Sequence, residues 1–319
     1  MTPVLGMAQV LTLTLNPALD VATGVVLVVS GEKLRCTDPQ YDAGGGGINV
    51  SRAVQALGGQ SCALVALGGA TGQRLAALLR ASSVPFIALK SPGETRQSMT
   101  VTETSTGQQY RFLLPGPVWQ EADQAQVLAS LRAHAEQGGI AVISGSQPPG
   151  VPRDFAARLA ACLPDMRLVL DTSGSALAQA VTYPIARLNE QRMDSDEAQS
   201  LHGTPLSTPE QTADFAQSLV RRGVAECVIV ARGAEGNVLA LASLRLFARP
   251  PVVQVVSAVG AGDSFVAGLV LAMARGEGWE AALLQATAAA AAAVMTPATD
   301  LCRAPDVAAL LPLCQIARL

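Results

Sequence analysis

No excess of positive charge marks this chain: 22 lysines and arginines stand against 25 acids, for a net charge of −3. A general nucleic-acid binder needs a basic surface, so that class is excluded, though a few local cations suffice for a phosphorylated small molecule. Histidine is scarce, with only His134 and His202, and the six cysteines (36, 62, 162, 227, 302 and 314) form no C-x-x-C pair. That spacing excludes a zinc site and leads us to expect reduced thiols in a cytoplasmic protein. Residues 1–5 lack the basic start and long apolar run of a signal peptide. The nearest approach to a membrane span, 281–295, is short, rich in weakly apolar alanine and interrupted by Gln285 and Thr287. A close-packed interior helix is expected there, and no membrane contact. Aromatics are only 3% of the chain, so its hydrophobic half is mostly Ala, Val and Leu. Also missing are G-x-x-x-x-G-K-[ST], which excludes a P-loop enzyme, and a G-x-G-x-x-G after a strand, which counts against a dinucleotide fold. With no histidine near a Ser or Cys motif, triad chemistry has little support.

What is present suits one large α/β unit, or a main domain with an appendage. Residues 10–15 read as a short β-branched and apolar strand closed by Asn16-Pro17. Beyond 60, strand and helix patterns alternate: strands at 61–67, 84–89, 140–143, 168–170 and 227–230, helices at 72–81, 121–136, 153–162 and 208–222, and two long helices after Asp263. Two stretches break this rhythm. Residues 21–37 look extended around a Ser30-Gly31 turn, and 98–114 form a hairpin about Ser105-Thr106-Gly107, so a small sheet stands off the main body. The alternation implies a mostly parallel sheet covered on both faces, with ligands at the strands' carboxyl ends.

Two glycine loops fall at such ends. Gly44-Gly45-Gly46-Gly47 runs into an apolar-periodic helix beginning Ile48-Asn49-Val50, and Gly260-Ala261-Gly262-Asp263 repeats the arrangement with a carboxylate as the helix begins. Glycine lets the backbone approach a ligand, and unpaired first-turn N–H groups suit hydroxyls or anions. Asp263 reads either as an N-cap or as a base taking a proton from a substrate hydroxyl, with the amides of Gly260, Ala261 and Gly262 stabilising a migrating phosphoryl group.

These two loops, with Thr14-Leu15-Asn16-Pro17-Ala18-Leu19-Asp20, resemble the PfkB (ribokinase-like) sugar kinases, and within them the phosphofructokinase branch with its type-2 bacterial members. The likeness runs from about residue 10 to 305 and takes in 32–37, 68–72, 110–112 and 143–150. It implies a ribokinase-like three-layer α/β sandwich with a mostly parallel central sheet and a small β-sheet lid. The core would comprise 1–17, 39–93 and 115–319, and the lid 18–38 and 94–114, closing over the sugar and pairing with a second copy as a homodimer. Asp20, Gly44 to Gly47, Asn49 and Ser146 would hold the sugar. Lys33, Arg96 and Arg111 would hold its phosphate, and Asp263 would be the base. Only Lys33 and Lys90 are lysines, and a compact ammonium in the lid suits a phosphate. The implied activity is ATP- and Mg2+-dependent phosphorylation of fructose 6-phosphate at its C1 hydroxyl. Fructose 1-phosphate and tagatose 6-phosphate stay open as substrates.

The nucleotide side departs from that pattern. Ala258, after Ser257, replaces a threonine, and Ala231-Arg232-Gly233-Ala234-Glu235-Gly236 loses a hydroxyl while leaving Arg232 for another phosphate contact. The N-x-x-E associated with magnesium reads either from Asn189, ending in Arg192, or in a shifted 194–197, ending in Glu197; Glu197 is the better metal candidate. Ser257, Asn189, Arg232, Gly233 and Gly236 are therefore the nucleotide-side candidates. Their departures motivate a second class of function, a sugar-phosphate-binding protein that has lost most catalysis. The intact Asp263 loop counts against it.

Overall fold

The computed structural model describes residues 9–297 and 299–319; the reading of residues 1–5 and the start of the expected core lie outside the described residues. In chain order its strands are β1 (Val10–Thr14), β2 (Ala18–Val25), β3 (Gln40–Gly44), β4 (Ser61–Leu67), β5 (Phe86–Lys90), β6 (Arg96–Glu103), β7 (Gln109–Leu113), β8 (Ile140–Ser144), β9 (Arg167–Asp171), β10 (Glu190–Asp194), β11 (Cys227–Ala231), β12 (Asn237–Ala240), β13 (Arg245–Arg249) and β14 (Gln315–Arg318). Ten make one sheet in the order β14-β13-β12-β11-β10-β9-β8-β1-β4-β5, and the others a separate sheet in the order β3-β2-β6-β7. The large sheet is parallel from β5 across to β11 and antiparallel from β11 to β14.

β1 shows why the sheet is two-sided. All five of its residues are buried, as a strand covered by helices on both faces requires. Leu11 and Leu13 enter one core with Phe155 and Trp119, and Val10 enters the other with Val54 and Phe265. The remaining buried hydroxyls are satisfied locally: Thr12 bonds Ser51, and Thr14 Oγ1 accepts the Ile48 N–H at 3.0 Å. That second bond seats the helix Gly46–Ala56 at the carboxyl end of β1, where the strand order turns between β8 and β4. The three-layer α/β sandwich is thus as expected.

The alanine-rich stretch is the interior helix Trp279–Ala293, packed along Ala261–Ala274. A Cβ on Gly268 would stand 2.9 Å from the Ala286 Cα, so the two backbones meet through their smallest residues. Among the described residues no helix is long and apolar enough to cross a membrane.

The small sheet differs from expectation in two respects. Gln40–Gly44, placed by the sequence in the core, pairs antiparallel with β2. The stretch 26–39 is irregular rather than the return arm of a hairpin, because β2 already has β3 on one edge and β6 on the other. Thr37 ties it back, its N–H donating to the Gly24 carbonyl at 2.9 Å, and near its start the Val28 N–H donates to Glu103 Oε2 at 2.7 Å and the Val26 carbonyl accepts the Ser105 N–H at 3.1 Å.

At the amino end of β10, Glu190 is 1% exposed and pairs with Arg167 at 2.6 Å. Burial, opposed by Arg167, raises its carboxyl to about 7. A carboxyl raised on folding contributes stability that is fully present below its unfolded value and lost as pH climbs through the folded one. The unfolding free energy of the wild type relative to Glu190→Gln should therefore fall by on the order of 3 kcal/mol between pH 5 and 8. Urea titrations at both pH values check this; a difference that stays constant contradicts it.

Candidate active site

The site grows from the carboxyl ends of β1, β8, β9 and β10. A Cβ on Gly44 would collide with the Asp20 carboxylate and one on Gly46 with the Ser144 hydroxyl; on Gly45 it would stand 2.7 Å from Thr14 Cγ2, and on Gly47 2.6 Å from Thr14 Oγ1. Each missing side chain therefore makes room for a protein atom, and the run joins β1, β2 and β8 at one point. Gly45, with φ 133°, adds a backbone conformation that side chains resist.

Asp263 is the third residue of the helix Ala261–Ala274. The N-cap is Gly260, with φ 78° and no side-chain cap, so the capping role for Asp263 falls away. Its Oδ2 instead accepts the Asn49 Nδ2–H at 2.9 Å, across 214 residues of sequence. The first-turn N–H groups of this helix have no intrahelical acceptor and form a ready cradle for negative charge. Burial raises the Asp263 carboxyl to about 6 and Asp171 adds to the rise, while Asn49, Arg192 and Arg52 oppose it.

Beside it lies a cleft of about 310 Å³ lined by Gly46, Ser144, Asp171, Arg192, Glu197 and Asp263. Both Asp171 oxygens are engaged: Oδ1 accepts from Arg192 Nη1 at 2.8 Å and Oδ2 from Ser144 Oγ at 3.1 Å. Burial works against the Arg192 charge, and Asp171 together with Asp263 more than restores it. A Cβ on Gly262 would stand only 3.0 Å from Arg192 Nη2, so glycine there lets the guanidinium lie against the cradle. Asp194 caps the helix Ser195–His202 reciprocally with Glu197: the Glu197 N–H donates to Asp194 Oδ1 at 2.8 Å, and the Asp194 N–H to Glu197 Oε2 at 2.9 Å. Burial raises the Glu197 carboxyl.

On the small-sheet side, burial lifts Asp20 to about 6, with Arg96, Arg111 and Arg52 opposing and Asp42 reinforcing the rise. Arg96 spends Nε on the Asn16 carbonyl and Nη1 on that of Leu114, and among the described residues Nη2 makes no hydrogen bond. Ser146 accepts from Asn16 Nδ2 at 3.2 Å. Lys33 sits exposed on 26–39, and among the described residues it makes no hydrogen bond or ion pair.

Two nucleotide-side expectations are corrected. Asn189 precedes β10, at the sheet's amino end, where it donates to Glu226 and accepts from the Leu168 N–H; it is a full strand length from the cleft. Arg232 is not free for phosphate, because all five donors are taken by Glu235, Thr212 and the Leu206 and Ser207 carbonyls. Gly236 is glycine because a Cβ would strike the Ala248 carbonyl, and Gly233 opens the turn before it with φ 58°. Ser257 accepts the Val259 N–H at 3.2 Å, in the turn leading to Gly260. Arg192, Asp194, Ser144 and Arg52 escaped the sequence reading. For Asp194 the available signal was the shifted 194–197 motif, of which it is the first position; Arg192 stood in the sequence only as the cation ending the alternative from Asn189.

The pattern of the pfkB family carbohydrate kinases matches residues 14–306. The chain is 43% identical over 307 residues to the ATP-dependent 6-phosphofructokinase isozyme 2 of Mycobacterium tuberculosis, covering 95% of this chain and 88% of that one. With the isozyme 2 of Escherichia coli the identity is 37%, over 94% and 97% of the two chains. The crystal structure of phosphofructokinase-2 from Escherichia coli in complex with fructose-6-phosphate superposes with a TM-score of 0.89 at 34% identity, covering 96% and 99%. A tetrameric inhibited form of that enzyme is also similar, with the same TM-score. With a family match across nearly its whole length, the chain belongs to the pfkB family of carbohydrate kinases.

Proposed function

We propose that this protein is an ATP-dependent 6-phosphofructokinase that transfers the γ-phosphoryl group of ATP to the C1 hydroxyl of fructose 6-phosphate. One observation carries the reading: the Asn49–Asp263 hydrogen bond joins the glycine run on the sugar side to the N–H cradle on the phosphoryl side. Asp263 takes the hydroxyl proton, and a carboxyl near 6 is matched to that task at neutral pH. The cradle of Gly260, Ala261 and Gly262 receives the charge of the migrating group, with Arg192 alongside. Asp20 and Asn49 orient the sugar, and Arg96 and Arg111 hold its phosphate, joined by Lys33 from the 26–39 segment.

The cleft's hard oxygen donors suit magnesium. Among the described residues no three carboxylates converge on one point, which fits an ion carried largely by nucleotide phosphates and water. Glu197 and Asp194 would hold it through that shell, and the ion would neutralise phosphate charge. The small sheet serves as a lid that excludes water. Its exposed Met99, Phe112, Leu113 and Leu114 support pairing with a second copy's lid. Six free cysteines suit the cytoplasm.

Initial rates with fructose 6-phosphate, fructose 1-phosphate and tagatose 6-phosphate test the assignment. The highest kcat/KM is expected on fructose 6-phosphate. A preference for either other sugar phosphate reassigns the substrate, and binding without ADP formation supports the catalytically impaired alternative.

A further inference from the structure

Arg52 stands three residues after Asn49 on the same helix, half-buried, and among the described residues it pairs with no carboxylate within 4.0 Å. Its hydrogen bond runs from Nη1 to Asn49 Oδ1 at 3.4 Å. A guanidinium only donates and a carboxylate only accepts, so these two neighbours fix the amide between them. The oxygen must face Arg52 and the NH2 must face Asp263. Among the described residues Arg52 is the partner of the amide oxygen, and a flipped Asn49 would set acceptor against acceptor at the base.

We propose that Arg52 is a positioning residue: it locks the Asn49 amide so that Asn49 donates to Asp263, and its charge acts on both Asp263 and Asp20. The inference rests on the reading of Asp263 as base. Asp263 is faced by Asn49 and Arg52 from the helix Gly46–Ala56, Asp171 from β9 and Arg192 from β10; Asp20 is faced by Asp42, Arg96, Arg111 and the same Arg52. Arg52 therefore acts on both acids, and it favours the ionised form of each.

The test is the pH dependence of kcat and KM with fructose 6-phosphate between pH 5 and 8.5, for wild type, Arg52→Gln, Arg52→Met, Arg52→Lys and Asp263→Asn. The acid limb should move upward by about one pH unit in Arg52→Gln and Arg52→Met. Their kcat at pH 7 should fall about 10-fold, with KM changed less than about 3-fold. Arg52→Lys should keep the wild-type limb. A packing role alone would lower kcat equally at every pH, so an unmoved limb in whichever neutral variant folds overturns the proposal. A nearly fully active Asp263→Asn would overturn the base assignment itself; an inactive one beside an unmoved limb would overturn only the role of Arg52.

Discussion

Asp263→Asn should lower kcat on fructose 6-phosphate by about 1,000-fold, within the range a positioned general base contributes, while fructose 6-phosphate binds within a few-fold of wild type. The variant keeps an oxygen to accept the Asn49 N–H, so the 2.9 Å bond that ties the two loops survives. What it loses is the ability to take up a proton. Steady-state turnover and calorimetric titration with the sugar phosphate check the two halves separately. Equal loss of binding and turnover would make Asp263 a structural tie instead of the base.

Arg192→Met is expected to have the largest effect on stability. Arg192 and Asp171 are 13% and 14% exposed, and removing one partner of a buried pair typically costs about 3–5 kcal/mol because the other charge is stranded. Turnover should fall as well, by about 100-fold, because the guanidinium lies against the cradle where phosphoryl charge gathers. The double variant Asp171→Asn/Arg192→Met separates these effects: it should recover much of the stability and none of the turnover. Denaturant melts with parallel assays decide. If the double variant is no more stable than Arg192→Met, the stranded-charge explanation fails.

Legibility varied with the kind of signal. Residues 10–15 announced a strand through their unbroken apolar and β-branched run, and β1 is that strand, its burial on both faces explaining the run. The glycine run was legible as a place of close backbone approach, but the approaching atoms are those of Thr14, Asp20 and Ser144, which lie far apart in sequence. β10, Glu-Gln-Arg-Met-Asp, has no apolar run, so neither the strand nor the Arg192 at the cleft could be placed from it. Arg232 looked available because its partners come from 206–212 and 235, and no local pattern foretells such a cage. Lys33 seemed to belong to a hairpin because Ser30-Gly31 is good turn chemistry; the tertiary pairing of β2 with β3 and β6 overrode it.

The most direct measurement of the central claim is ³¹P NMR of the wild-type protein turning over ATP, magnesium and fructose 6-phosphate. ADP and a new phosphate ester on the sugar's C1 oxygen are expected to grow one for one. ADP accompanied by free inorganic phosphate, or a sugar that binds and stays unmodified, would contradict it.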